Sequence, residues 1–338
     1  MSNYLSIPIN ENGVVVDDNI DNLIRAAMST SFEFSDIYVY SHGWSLDATK
    51  MMDWYNRFAI EYNKANIDLI AQNNTIFQSP PTSKTLGVGL HWPSMISENE
   101  NSPIDYLQQL TFYTMDKRAG SVGEHGLYSV LRLILSSDAL SAYKSVRLNL
   151  LGHSFGCKVV VAALEQVYED MVLHKIPDRP NVSFNVVLLQ GAFERDLLDE
   201  HECYGNVEHL NIRLLVTRSD EDEALQTWFD DAHFNLNFFQ LVKKDPNKRA
   251  LGAMGPTDST RAAMGGTLPD VSVGPGFQST SMLNQDRRLV VADLTPIHRS
   301  RGTQQGYAKF SGHHSDIFIP EVYALIAGFL YNNNLKPQ

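Results

Sequence analysis

Six short runs, Ile37–Ser41, Leu86–Leu90, Val146–Leu151, Val186–Gln190, Ile212–Thr217 and Leu289–Leu294, are apolar with little alternation. A strand with one face in water alternates apolar and polar residues, whereas an unbroken apolar run marks a strand buried on both faces. Between these runs the period changes to 3.6. Met51, Met52, Tyr55, Phe58, Ala59 and Tyr62 share one helical face, as do Val159, Val160, Ala163, Leu164 and Val167. Pro320–Leu330 predicts a closing helix, with proline in the first turn where its missing N–H is no loss. Strands alternating with helices predict an α/β fold: a mainly parallel central sheet flanked by helices, with ligands at the carboxyl ends of the strands.

Two stretches break the rhythm. Residues 97–141 predict a helical excursion, with two helical patterns around Met115–Gly123. Residues 232–286 predict a loop-rich insertion or cap before the last strand. Its centre, Asp245–Thr280, is rich in Gly, Pro, Ser and Thr and too long for an ordinary connection. No internal repeat or linker divides the chain, so a single domain over residues 1–338 is expected.

The net charge of −12 comes from 39 acidic and 27 basic residues intermingled along the chain. With no basic stripe, a nucleic-acid partner is not expected. Met1–Asn10 lacks the charged and apolar regions of a signal peptide, and no apolar run approaches the roughly 20 residues that span a bilayer. The expectation is a soluble, cytoplasmic protein with no stable membrane insertion. Cys157 and Cys203 show no metal or disulfide spacing, and both are expected to be buried, reduced and inert.

The chemistry concentrates where Val146–Leu151 runs into Gly152-His153-Ser154-Phe155-Gly156, followed at once by the helical pattern Lys158–Glu169. That is a G-x-S-x-G nucleophile elbow in a strand-to-helix setting, which projects the serine hydroxyl and keeps side chains out of its way. A base and an acid should follow in the order Ser, Asp or Glu, His. Past the carboxyl end of Ile212–Thr217 lies Arg218-Ser219-Asp220-Glu221-Asp222; Asp222 fits the acid best by its spacing from Ser219, and Asp220 stays open. The alternative for this cluster is capping of the following helix. After the last strand, Phe310-Ser311-Gly312-His313-His314 offers His314 as the base, with His313 open. His298 has no comparable glycine turn beside it.

The tetrahedral intermediate of acyl transfer also needs hydrogen-bond donors. Phe155 supplies an amide after the nucleophile. The run Ile37–Trp44 opens into His42-Gly43-Trp44, where the amide of Trp44 is the second donor and Gly43 makes room for substrate. Trp92 is placed with Gly43 at the substrate, and Tyr113 beside them; an aromatic pocket suits an apolar or aromatic ester. His42, His91, His153, His313 and His314 lack H-E-x-x-H spacing, so neither a metal nor any other cofactor is expected.

Together these motifs resemble the α/β-hydrolase superfamily, and the likeness spans most of the chain. It is nearer to poorly characterised serine hydrolases that share His91-Trp92-Pro93-Ser94 and the Lys117–Gly123 segment. The resemblance implies acyl transfer by Ser154, His314 and Asp222, with a small-molecule ester as substrate. It points to a carboxylesterase, with amidase, thioesterase and lipase chemistry sharing the same machinery. The other class is a noncatalytic binding protein on this scaffold, which should lack one of nucleophile, base or oxyanion turn. Two features depart from the pattern: the long separation of Asp222 from His314, and Ser219 where many relatives carry glycine.

Overall fold

Among the described residues, the buried apolar runs pair side by side into one parallel sheet of eight strands. These are β1 (Asn3–Pro8), β2 (Phe34–Ser41), β3 (Lys84–His91), β4 (Val146–His153), β5 (Val182–Leu189), β6 (Ile212–Arg218), β7 (Val271–Ser272) and β8 (Leu289–Asp293), in the spatial order β1-β3-β2-β4-β5-β6-β8-β7. The computed structural model describes residues 3–29, 34–44, 48–72, 84–94, 105–143, 145–229, 248–265, 268–279, 287–302 and 312–331.

Strand periodicity divides the core in two. Val39, Leu148, Leu150, Val186, Leu188, Leu214 and Val216 face one side, whereas Tyr38, Tyr40, Leu151, Val187, Leu189, Leu215 and Val290 face the other. Successive side chains point to opposite faces, so a strand covered on both sides must be apolar at both phases. The first side packs against α1 (Ile20–Ser29), α3 (Asp105–Ser121), α4 (Tyr128–Ser136) and α5 (Phe155–Val172). The second packs against α2 (Ala48–Gln72) and the closing helix α6 (Pro320–Tyr331).

Two strands escaped the apolar pattern because they lie at the sheet edges: β1 mixes polar and apolar residues, and β7 is two residues long. β5 begins at Val182, four residues before its apolar run, because Ser183 and Asn185 are polar and yet buried. The burial of Asn185 is made tolerable by a ladder across three strands. Asn185 Nδ2 donates to Asn149 Oδ1 (2.7 Å), Asn149 Nδ2 to Asp36 Oδ1 (3.0 Å), and Arg147 pairs with Asp36.

The described part of the 97–141 stretch holds α3, a π-helical segment Val122–Leu127 and α4 in unbroken succession. Small buried residues let this rod lie against α5: a Cβ on Gly123 would fall 2.5 Å from the Val159 carbonyl oxygen. Residues 95–104 lie outside the described residues. Within 232–286, the described segments form a helical turn Leu251–Met254, a short helix Asp258–Ala263 and β7. Gly252 N donates to Gly191 O and Gly252 O accepts from Ser219 N, both at 2.9 Å, which ties this stretch to the carboxyl ends of β5 and β6. Residues 230–247, 266–267 and 280–286 lie outside the described residues.

Cys157 is buried in the first turn of α5, but Cys203 is exposed. That corrects the expectation for Cys203: it sits in the turn between two 3-10 segments, Arg195–Leu198 and Gly205–His209, where the neighbouring Tyr204 takes the inward position.

β2 leads to β3 on one side, while β4 leads to β5 and β6 on the other. The chain therefore diverges between β2 and β4, and open α/β sheets place their ligands in the crevice at such a switch point.

Candidate active site

β4 delivers Ser154 at this switch point, and α5 starts one residue later. Ser154 has φ 55° and ψ −125°, a conformation that costs a non-glycine residue roughly 1–3 kcal/mol. Backbone hydrogen bonds hold it there. Ser154 N donates to Leu189 O (3.0 Å), and Ser154 O accepts from Cys157 N (3.0 Å) and Ala192 N (3.2 Å). The flanking glycines are needed for space: a Cβ on Gly156 would fall 2.2 Å from Ser41 O, and one on Gly152 2.5 Å from Gly156 O.

His314 reaches this serine from the loop before α6. Its Nε2 lies 2.8 Å from Ser154 Oγ and its Nδ1 2.8 Å from Asp222 Oδ2. A carboxylate only accepts, so Nδ1 carries the proton, and Nε2 is left bare to accept from the serine hydroxyl. Asp222 is fully buried and each of its oxygens is used. Oδ2 also accepts from Gln190 Nε2 (2.8 Å), and Oδ1 from Leu225 N (3.1 Å), capping the helical turn that follows. The two readings of the acidic cluster thus meet in one residue. Asp220 is exposed and leans toward Arg218, 3.4 Å from Nη1.

His313 turns the other way. Its Nδ1 donates to Asp316 Oδ2 (2.7 Å), and its ring stacks on His298 with centroids 5.0 Å apart. His298 Nδ1 lies 2.8 Å from Ser219 Oγ, which also accepts from Glu221 N (3.1 Å). Serine stands at position 219 because its hydroxyl is bonded here. Burial, reinforced by the neighbouring His313, pushes His298 down to about 4.

The turn after β2 closes under the elbow. A Cβ on Gly43 would fall 2.7 Å from Ser154 Cβ and 3.1 Å from His153 O, so only glycine fits. His42 Nδ1 donates to Gly43 O (2.8 Å). The peptide joining Gly43 to Trp44 is planar and trans, so fixing that carbonyl also fixes the direction of the Trp44 N–H. Burial pushes His42 down to about 4, which keeps its ring neutral. The Phe155 N–H opens α5 and has no carbonyl of its own helix to meet.

The aromatic residues divide. Trp92 is 2 % exposed and stacked on His42 at 5.0 Å, so its ring supports the turn from within the core instead of facing an open cleft. The Phe155 ring is also in the core, 5.0 Å from that of Phe112. Trp44 and Tyr113 are partly exposed, and the Trp44 ring meets Phe155 edge-on at 6.4 Å. Ser154 itself is 4 % exposed. Of the chain's eleven histidines, the five weighed as metal ligands each hold hydrogen bonds within the protein, His91 Nε2 lying 3.1 Å from Ser6 Oγ. Among the described residues no group of three or more His, Cys, Asp or Glu is arranged to hold a metal.

Two participants were not singled out by sequence reasoning. Gln190 follows β5 directly, and its place at a strand's carboxyl end was the available signal. His153 stands inside the elbow, where attention falls on the serine; its Nε2 lies 2.9 Å from the carbonyl oxygen of His314.

A family model described as alpha/beta hydrolase of unknown function (DUF900) matches residues 36–230, more than half of the chain. The matched span takes in the turn after β2, the elbow and Asp222, and stops short of His314. No curated protein and no solved structure matches. No helix of the described residues is long and apolar enough to cross a membrane.

Proposed function

The chain belongs to this family of alpha/beta hydrolases, and from that premise we propose that it is a serine hydrolase, a carboxylesterase acting on small or medium apolar and aromatic esters. The observation that carries the reading is the unbroken chain of hydrogen bonds from Ser154 Oγ through His314 to Asp222, each link 2.8 Å long. Ser154 Oγ attacks the ester carbonyl carbon while its proton passes to His314 Nε2. Asp222 remains ionised and holds the ring in the required tautomer. The N–H groups of Phe155 and Trp44 receive the oxyanion. His314 then protonates the departing alkoxide, and water, activated by the same imidazole, releases the acyl group from Ser154.

The strained serine supports this reading, because non-glycine residues at such angles persist where the surroundings over-determine them, and such places cluster at active sites. Partly exposed Trp44 beside the nucleophile supports an apolar or aromatic ester. The deciding experiment is a panel of p-nitrophenyl esters, anilides and thioesters assayed with the wild type and Ser154→Ala. The variant is expected to lose activity by on the order of a million-fold while keeping the wild-type circular dichroism spectrum. Full activity in Ser154→Ala would end the proposal.

A further inference from the structure

Two buried side chains at the ends of adjacent strands reach the main chain of the loop that carries His314. Residues 153 and 189 are register partners in β4 and β5, so His153 and Gln190 emerge side by side at the carboxyl edge of the sheet. His153 Nε2 lies 2.9 Å from the carbonyl oxygen of His314, and Gln190 Nε2 lies 3.3 Å from that of His313. Consecutive carbonyls are thus addressed from consecutive strands. Gln190 Nε2 also lies 2.8 Å from Asp222 Oδ2. Both of its neighbours are acceptors, so the amide's NH2 end must face them, which settles its orientation by chemistry. Gln190 is fully buried at φ 45° and its backbone N–H donates to Thr217 Oγ1 (2.9 Å), so the carboxamide is presented from a fixed base.

We propose that His153 and Gln190 are positioning residues that clamp the His314 loop by its main chain, keeping the base in line between Ser154 and Asp222. The inference rests on the serine-hydrolase reading for its catalytic consequence, though not for the clamp itself. Backbone clamping matters because two adjacent histidines follow Gly312, and the direction of the main chain decides that His314 faces the serine while His313 faces Asp316. His153 must act as a neutral donor with its proton on Nε2. Its burial and the neighbouring His314 ring push it down to about 3, so it stays neutral even when His314 takes up the serine proton.

The test uses His153→Phe, which keeps a ring but removes the donor, and His153→Gln, whose Nε2 reaches about as far as the imidazole Nε2. On p-nitrophenyl acetate, His153→Phe is expected to lower kcat about 10- to 100-fold with KM little changed, the size of effect that a misplaced catalytic group produces. His153→Gln should recover most of the loss. A second readout needs no turnover: in a Ser154→Ala background, His153→Phe should speed amide hydrogen exchange across residues 312–316 and broaden the downfield proton signal of His314 Nδ1–H. If His153→Phe fails to fold, Gln190→Met removes the other donor at nearly constant volume and is read in the same way. Wild-type exchange together with wild-type kcat in the folded variant would overturn the clamp. Faster exchange in the His153→Phe variant, with a wild type that hydrolyses none of the substrates, would uphold the clamp and end the esterase reading instead.

Discussion

Gly43 and Ser154 come from strands separated by more than a hundred residues, yet they meet so closely that a Cβ on the glycine would fall 2.7 Å from the serine Cβ. The turn that presents the Trp44 amide and the elbow that presents the hydroxyl therefore form one packed unit. Moving either one displaces the other.

Gly43→Ala tests that unit. The added methyl has rigid neighbours, the Ser154 Cβ and the His153 carbonyl, so the elbow or the turn must shift. Overpacking of this kind costs about 1–3 kcal/mol. Urea titration should show that loss, and kcat on p-nitrophenyl acetate should fall at least about 100-fold, since a displacement near 1 Å at the reacting atoms is enough for such an effect. A variant as active as the wild type would show that the two loops do not act together.

Asp222 and Asp220 can be separated by paired substitutions. Asp222→Asn keeps an acceptor for Leu225 N but offers His314 Nδ1 a neutral amide, which favours the wrong tautomer. A loss on the order of 10⁴-fold in kcat is expected from the corresponding change in a serine protease triad. Asp220→Asn, on an exposed side chain directed at Arg218, should leave kcat within about twofold of wild type, as expected of a surface position. Equal losses in the two variants would contradict this assignment.

Backbone strain at Ser154 predicts a stability difference between two variants that lack its hydroxyl. Glycine tolerates φ 55° and ψ −125° without penalty, whereas alanine retains the strain of the native serine. Ser154→Gly is therefore expected to be more stable than Ser154→Ala by about 1 kcal/mol, after the entropy cost of glycine is set against the relief of strain. Thermal unfolding of the two proteins measures the difference. A higher Tm for the alanine variant would count against a strained elbow.

Acid should destabilise the fold. His153 is held at about 3, and His42 and His298 at about 4, in each case chiefly by burial. In the unfolded chain all three return to near 6.5. Lowering the pH through 6.5 thus protonates the unfolded chain first, and the stability present above that pH is lost progressively as the pH falls toward 4. Each histidine contributes roughly 1.4 kcal/mol per pH unit across that window. The midpoint of urea unfolding should fall from pH 7 to pH 5, and His298→Asn should reduce the slope. A midpoint that rises over the same interval would refute the burial of these rings in neutral form.

Much of this architecture is legible in the chain because local patterns carry it. Strand periodicity with both phases apolar marks β2 to β6 and β8 as strands covered on two sides, and the Gly152–Gly156 motif announces a turn that few sequences other than G-x-S-x-G accommodate. The edge strands and the polar start of β5 stay hidden because their burial depends on partners elsewhere, Asn149 and Asp36 for Asn185. The aromatic residues near the elbow look alike in sequence, although Trp92 and Phe155 seal the core while Trp44 stays partly exposed.

By itself, the sequence determined the order of the central strands, the place of the elbow and the turn beneath it, and a short list of candidate acids and bases at the carboxyl ends of later strands. The tertiary structure alone decided that His314 faces Ser154 across 160 positions and Asp222 across 92, while His313 turns to Asp316 and Asp220 to Arg218. The reason is geometric. Local patterning sets where a chain turns, but which of two neighbouring side chains points inward depends on the backbone angles of the loop, here Gly312 at φ 55° packed against Glu221–Glu223, and on the groups from distant strands that hold it.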